Sequence, residues 1–254
     1  MQTKQIKNTI VNGIKTYCQK NNFTDVLLGL SGGIDSALVL VLACEALGAN
    51  HVHTLMMKTK YTSDKSILLA QKIAEMNNVH HQVIDIEPIL KSYLKSFSFT
   101  PKNPLTKQNL QARIRGVIAM AYSNENGWLL LSCSNKSESA MGYCTLYGDT
   151  CGGISPIGDI YKTSVYKLAY LYNQEGKYTI PTEIINREPT AELANNQKDT
   201  DLLPPYHILD DILKNHIFDN QPISKEKEEL VNTIKNKYNK TAFKRSQMPP
   251  VIPV

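Results

Sequence analysis

Residues 29–36 read Gly-Leu-Ser-Gly-Gly-Ile-Asp-Ser, and this stretch constrains the chain more than any other. It follows an apolar run, Val26-Leu27-Leu28, that reads as a buried strand, and it precedes Ala37–Ala43, which reads as a helix. A glycine-rich turn from strand into helix directs several backbone N–H groups and the positive end of the helix dipole at one point, where a phosphate is stabilised. Gly29 and Leu30 lead into the turn, and Ile34 follows it. Gly32 and Gly33 let an anion approach the backbone closely, and Ser31 and Ser36 add hydroxyl donors. Asp35 is the odd member: a carboxylate beside bound phosphates repels them unless a cation lies between, so it implies Mg2+. Neither Gly-x-x-x-x-Gly-Lys-Ser/Thr nor Gly-x-Gly-x-x-Gly occurs.

Hydrophobic periodicity predicts helices over 4–21, 36–47, 63–76, 88–95, 105–124 and 161–173, and strands over 25–30, 52–57, 81–86 and 128–133. Helix 105–124 carries Leu110, Ile114, Val117, Ile118 and Ala121 on one side, a stripe read as core. Such alternation predicts an α/β fold, a Rossmann-like parallel sheet with helices on both faces. Ligands of such sheets sit beyond the carboxyl ends of the strands, where both Ser31–Ser36 and Cys133–Glu138 fall. Beyond residue 140 the pattern weakens. Residues 143–159 are glycine-rich, and 176–206 are polar and carry Pro181, Pro189, Pro204 and Pro205, as a functional or mobile loop does. Helices are expected over 207–218 and 224–238, and an extended tail over 243–254. No repeat or low-complexity tract divides the chain, so residues 1–254 read as a single domain.

Composition removes several function classes. The longest apolar run, Ala37–Cys44, is too short to span a bilayer, and the first residues are polar, without a signal-peptide core, which points to a cytoplasmic protein. The 5 cysteines are odd in number and include no Cys-x-x-Cys pair, against a disulfide framework or a zinc site. A net charge of +5 suits an anionic nucleotide. Its lysines and arginines form no dense block interleaved with aromatics, so nucleic-acid binding is not indicated. His51, His53, His80 and His81 flank strands in pairs and read as solvated or capping groups.

A second loop, Ser132-Cys133-Ser134-Asn135-Lys136-Ser137-Glu138, also follows a strand. Glu138 is either a carboxylate favoured by a helix start or a second oxygen donor for a cation shared with Asp35. Ser-Gly-Gly-x-Asp-Ser resembles the signature of the N-type ATP pyrophosphatases, which have the adenine nucleotide alpha-hydrolase-like fold. The resemblance sharpens with the ordered series Asn109–Arg115, Ser134–Glu138, Gly142–Asp149, Gly152-Gly153, Asp159–Thr163, Pro189–Leu193 and Phe243–Arg245. The whole series resembles the ammonia-dependent NAD synthetases, over nearly the full chain from Gly29 to Pro250.

That resemblance implies ATP-dependent amidation of deamido-NAD to NAD, with release of AMP and pyrophosphate, the final step of NAD biosynthesis. It implies that Gly29, Leu30, Ser31, Gly32, Gly33, Ile34, Asp35 and Ser36 hold ATP, together with Cys133, Lys162 and Thr190. The Met56–Lys60 region borders the adenine. Asp35 and Glu138 bind Mg2+, and Arg113, Leu146, Gly153 and Lys244 contact deamido-NAD. Asp35, Lys162 and Asp149 are the implied catalytic residues, Asp149 near the nicotinate end, guiding ammonium. A homodimer whose substrate site uses both subunits is implied too, with helix 105–124 at the interface.

Two positions depart from the pattern: Cys133 stands where the family often has Thr, and Gly153 where some ammonia-dependent members have an acidic residue. Leu146–Gly153 and Lys244–Pro250 look more like the synthetase domain of glutamine-dependent members. With only about thirty residues before the phosphate loop, no glutaminase domain is expected, and free ammonia, or ammonia from a separate partner, is the expected nitrogen source. The competing readings are a tRNA-thiolating enzyme using Cys144 or Cys151, a GMP-synthetase-like amidase, and a nucleotide sensor without turnover. Residues 182–203 are expected to be mobile without ligand and to close over the adenylate.

Overall fold

The computed structural model describes residues 2–190, 192–194, 198–219, 221–225 and 227–254. Four parallel strands, β1 (Val26–Gly29), β2 (Val52–Lys58), β3 (His80–Asp85) and β4 (Leu129–Leu131), form one sheet in the order β3-β2-β1-β4. Val26 lies opposite both Val52 and Leu129. The chain therefore runs outward from β1 through β2 and β3, then crosses back to place β4 on the other side of β1. The carboxyl ends of β1 and β4 flank the point where strand order reverses, which in open α/β sheets is where ligands bind.

Eleven α-helices are described: α1 (Thr3–Lys20), α2 (Ile34–Leu47), α3 (Asp64–Met76), α4 (Glu87–Ser96), α5 (Pro104–Asn126), α6 (Lys136–Ala140), α7 (Lys162–Glu175), α8 (Thr182–Ile185), α9 (Tyr206–Ile212), α10 (Glu228–Lys240) and α11 (Ala242–Arg245). Strand alternation assigns the faces. Val26, Leu28, Val52, Met56, Leu129 and Leu131 pack with α1, α2, α3 and α7, whereas Leu27, Leu55, Met57 and Leu130 pack with α4 and α5. Helix α2 is buried along nearly its whole length, from Ile34 to Cys44, which explains its unbroken apolar run. A third cluster, Met141, Leu203, Leu209, Ile212, Val231 and Ile234, joins α6, α9 and α10 beside the sheet. Among the described residues no helix is long and apolar enough to cross a membrane.

Four expectations need correction. The helix expected over 207–218 is present, its end 213–218 a π-helix, but α10 starts at Glu228 rather than 224. The tail is not extended throughout: α11 forms first, anchored where Lys244 donates to the carbonyls of Gly142 and Cys144 at 2.8 and 2.7 Å. The stripe on α5 is core only in part. Ile114 is buried, and Leu110 and Ile118 pack against the α4/α5 cluster, but Val117 is 61% exposed and Ala121 is exposed as well, because no element among the described residues covers that turn. The histidines are not solvated caps alone. His53 stacks on Trp128 at 3.6 Å and bonds Asp25 at 3.0 Å, and half-buried His81 bonds Thr54 at 2.8 Å.

Candidate active site

The phosphate loop leaves β1 and enters α2 with Gly33 as N-cap residue and no side chain satisfying the helix start. Gly33, Ile34, Asp35 and Ser36 line a cavity of about 550 Å³, so the unsatisfied N–H groups of the first turn face an anion-sized space. Ser31 and Ser36 hold the loop in shape: their hydroxyls lie 3.1 Å apart, Gly33 N–H donates to Ser31 Oγ, and Ser36 Oγ–H donates to the Gly33 carbonyl. Gly32 has φ +75°, and a Cβ there would meet the Ser66 carbonyl oxygen at 2.4 Å. Gly32→Ala is thus expected to destabilise the protein by ~2 kcal/mol or more, since the left-handed backbone alone costs about 1–2 kcal/mol. A thermal melt reads the loss, and ATP titration is expected to show weakened binding.

The second loop leaves β4 and enters α6, where Asn135 is the cap. Its Oδ1 accepts the Glu138 N–H at 3.0 Å, and its Nδ2 donates to Asp35 Oδ1 at 2.9 Å. This buried amide ties the two loops together across the strand-order reversal. Lys162, the first residue of α7, completes the group: its Nζ lies 2.5 Å from Asp35 Oδ2 and 2.9 Å from Glu138 Oε1. Three segments far apart in sequence thus meet on one ammonium, which is 1% exposed.

Electrostatics follows from this burial. Burial disfavours the charge on Lys162, but Asp35 and Glu138 outweigh it and hold the ammonium above the ordinary lysine range. Burial raises the Glu138 carboxyl to about 7 against the attraction of Lys162, with Asp35 and Asp199 adding to the rise. Tyr206 places its ring 5.0 Å from Lys162 Nζ and its hydroxyl 3.4 Å from Glu138 Oε1 and 2.8 Å from Asp199 Oδ2. Asp199 also accepts from the Tyr143 hydroxyl at 3.1 Å.

The cavity gathers most of the predicted residues. Gly29, Leu30, Ser31, Cys133, Asp149, Thr190 and Lys244 line it, as do Met56 and Met57, but not Lys60. The Cys133 thiol, raised by burial, sits 3.9 Å from the Gly29 carbonyl. Asp149 is exposed at the cavity wall and accepts the Thr145 N–H at 2.7 Å. Lys244 braces the 142–144 loop through the two carbonyls it binds. Gly32, Arg113, Leu146 and Gly153 are not in the cavity wall, Gly32 because it packs against the Ser66 backbone. Arg113 is exposed on α5 and donates to the Leu146 carbonyl at 3.2 Å, while Gly153 lies against Leu129. Arg115 is the arginine that turns inward, its Nε donating to the Met57 carbonyl at 2.9 Å and its pKa lowered by burial to about 10. Residues two apart on a helix face different ways, so the motif Asn109–Arg115 offered two arginines and only the fold separates them. Asn135 also lay within a quoted motif without a role. Asp199, Tyr206 and Tyr143 were missed, the first two because their proline-rich surroundings show no periodicity. Ala191, inside the predicted Pro189–Leu193 motif and the expected lid, lies outside the described residues, as do residues 195–197 of that lid. Cys144, raised by burial to about 12, and Cys151, also raised by burial, are poor candidates for a reactive thiolate.

A parallel sheet with this loop at its strand-order reversal defines a nucleotide-binding domain of the adenine nucleotide alpha-hydrolase type. The chain belongs to the NAD synthase family, whose family model matches residues 6–248. It is 45% identical over 221 residues to the glutamine-dependent NAD(+) synthetase of Thermotoga maritima, covering 85% of this chain and 38% of that one. The glutamine-dependent NAD(+) synthetase of Synechocystis is 41% identical over 263 residues, covering 100% of this chain and 47% of the relative. The chain thus spans less than half the length of these two curated relatives. Among solved structures, the NH3-dependent NAD synthetase of Campylobacter jejuni is 28% identical with a TM-score of 0.80, each chain covered to 98%. The NMN synthetase of Francisella tularensis, also 28% identical, has a TM-score of 0.82 with 95% and 96% covered.

Proposed function

We propose that this chain amidates deamido-NAD to NAD in the cytoplasm, using ATP and ammonia and releasing AMP and pyrophosphate. The observation that carries the reading is the buried ammonium of Lys162 shared by Asp35 and Glu138 at the mouth of the phosphate loop. A carboxylate does not react with ammonia directly, because its oxygen is a poor leaving group. Attack of that carboxylate on the α-phosphorus of ATP expels pyrophosphate and gives an acyl adenylate. Ammonia then adds to the acyl carbon and AMP departs. No protein nucleophile is needed, so the residues bind, orient and neutralise.

The α2 N-terminus and the Ser31 and Ser36 hydroxyls receive phosphate oxygens, and Lys162 carries positive charge to the departing pyrophosphate. Asp35 and Glu138, hard oxygen donors held together in one structure, fit Mg2+, which supplies charge neutralisation of the triphosphate. Asp149 receives the nitrogen as ammonium in the same cavity, and Lys244 and Thr190 close its wall. Free ammonia as the donor is supported by the match to an NH3-dependent enzyme across 98% of both chains. Dimerisation is supported by the uncovered apolar turn of α5, where Val117 and Met120 stand beside Arg113, which takes the far part of deamido-NAD together with Leu146 and Gly153. Sedimentation is expected to give a two-chain particle; a mass of 28.5 kDa would overturn this.

The deciding assay combines the protein with ATP, Mg2+, ammonium chloride and deamido-NAD. NAD, AMP and pyrophosphate are expected in equal amounts; ATP consumption without NAD rejects the substrate. Parallel arms replace ammonium by glutamine, and deamido-NAD by nicotinic acid mononucleotide, so that donor and acceptor are read separately. Hydrogen exchange over 182–203 is expected to slow when ATP and deamido-NAD are added together, and equal exchange with and without them excludes a lid.

A further inference from the structure

Asp210 does not line the cavity, yet it is bonded to both helices that supply Glu138 and Lys162. It lies on α9 and is 5% exposed. Its Oδ1 accepts the Ser137 hydroxyl at 2.5 Å, and its Oδ2 accepts the Thr163 N–H at 2.8 Å. Ser137 Oγ in turn accepts the Lys162 N–H at 2.9 Å. Ser137 is the neighbour of Glu138, and Thr163 the neighbour of Lys162. The closed set of three hydrogen bonds therefore grips the backbone immediately beside the two residues whose side chains must meet.

Helix α6 is capped by Asn135, but α7 is not capped from within. Helix α7 starts at Tyr161 with no side-chain cap of its own, so Asp210 acts as a cap supplied by another helix. Helix α6 has 5 residues, too few to hold a direction without outside contacts. The same α9 face carries Tyr206, four residues earlier, whose ring and hydroxyl touch the functional atoms themselves. One helix thus addresses the backbones of the site through Asp210 and its side chains through Tyr206.

We propose that Asp210 is a positioning residue that sets the Lys162–Glu138 geometry through Ser137 and the start of α7. This rests on the functional reading above, in which those two groups act on ATP. Asp210→Asn keeps the shape but turns one of the two acceptors into a donor against Ser137. It is expected to lower kcat for NAD formation by about tenfold or more, since small misplacements of reacting groups carry losses of that order. KM for ATP is expected to stay within about threefold, because the phosphate loop is untouched. In a 15N-lysine sample, the Lys162 Nζ resonance, assigned by its loss in Lys162→Arg, is expected to shift. Ser137→Ala is expected to move kcat and the resonance in the same direction, and it carries the test if Asp210→Asn does not fold. An unmoved Lys162 resonance overturns the proposal, as does kcat within about twofold of wild type or a loss of activity that only follows the folded fraction. If the wild-type protein forms no NAD, the functional reading fails by itself, and the resonance alone decides the role of Asp210.

Discussion

Asp35→Asn is expected to lower NAD formation by about 10³-fold while the protein keeps its fold, an effect of about 4 kcal/mol on the barrier. The side chain keeps its size, and its contact with Asn135 can be remade by turning the amide. What disappears is one of the two carboxylates that hold Lys162 and suit a divalent cation. Triphosphate brought to this loop would then meet Glu138 with the cation held by that carboxylate alone, and both charge neutralisation and phosphate alignment suffer. Stability changes less. A carboxylate in the first turn of α2 contributes about 0.3–1 kcal/mol through the helix dipole, and Lys162 keeps Glu138 as its partner. Steady-state assays over a range of Mg2+ concentrations, with a thermal melt of the same sample, separate the two quantities. Near-normal turnover would remove Asp35 from the cation site.

The strand–turn–helix at Val26–Ser36 could be read without a structure because strand, glycines and helix are adjacent in sequence, and so could the alternation that builds the sheet. Ligand-end placement of Cys133–Glu138 followed from the same alternation. The meeting of Lys162 with Asp35 did not follow from local pattern: by itself Lys162 is a lysine at a helix start, where charge is disfavoured, and only the crossing from β3 to β4 makes the contact possible. Resemblance to a family supplied that residue; periodicity could not. Asp199 and Tyr206 stayed hidden because a carboxylate and a phenol between prolines carry no repeat to detect. The α5 stripe misled for the opposite reason, since an apolar stripe looks the same whether it faces its own core or, as at Val117, stays exposed.

Lys162→Met is expected to damage both chemistry and folding, which distinguishes it from Asp35→Asn. Methionine fills much of the lysine stem's volume, but it leaves Asp35 and Glu138 facing one another without the ammonium that joins them. Removing one partner of a buried ionic group costs about 3–5 kcal/mol, because the remaining charges stay desolvated. At about 2–4 °C per kcal/mol for a chain of this size, the melting temperature is expected to fall by roughly 6–20 °C. Added Mg2+ is expected to recover more of that loss in Lys162→Met than it adds to the wild-type protein, since the cation and the ammonium answer the same two carboxylates. Recovered folding is not recovered activity. Without the lysine's positive charge for the departing pyrophosphate, turnover is expected to remain at least about 10²-fold below wild type even at saturating Mg2+. A variant that melted like wild type, or whose melting temperature ignored Mg2+, would separate the lysine from the cation site.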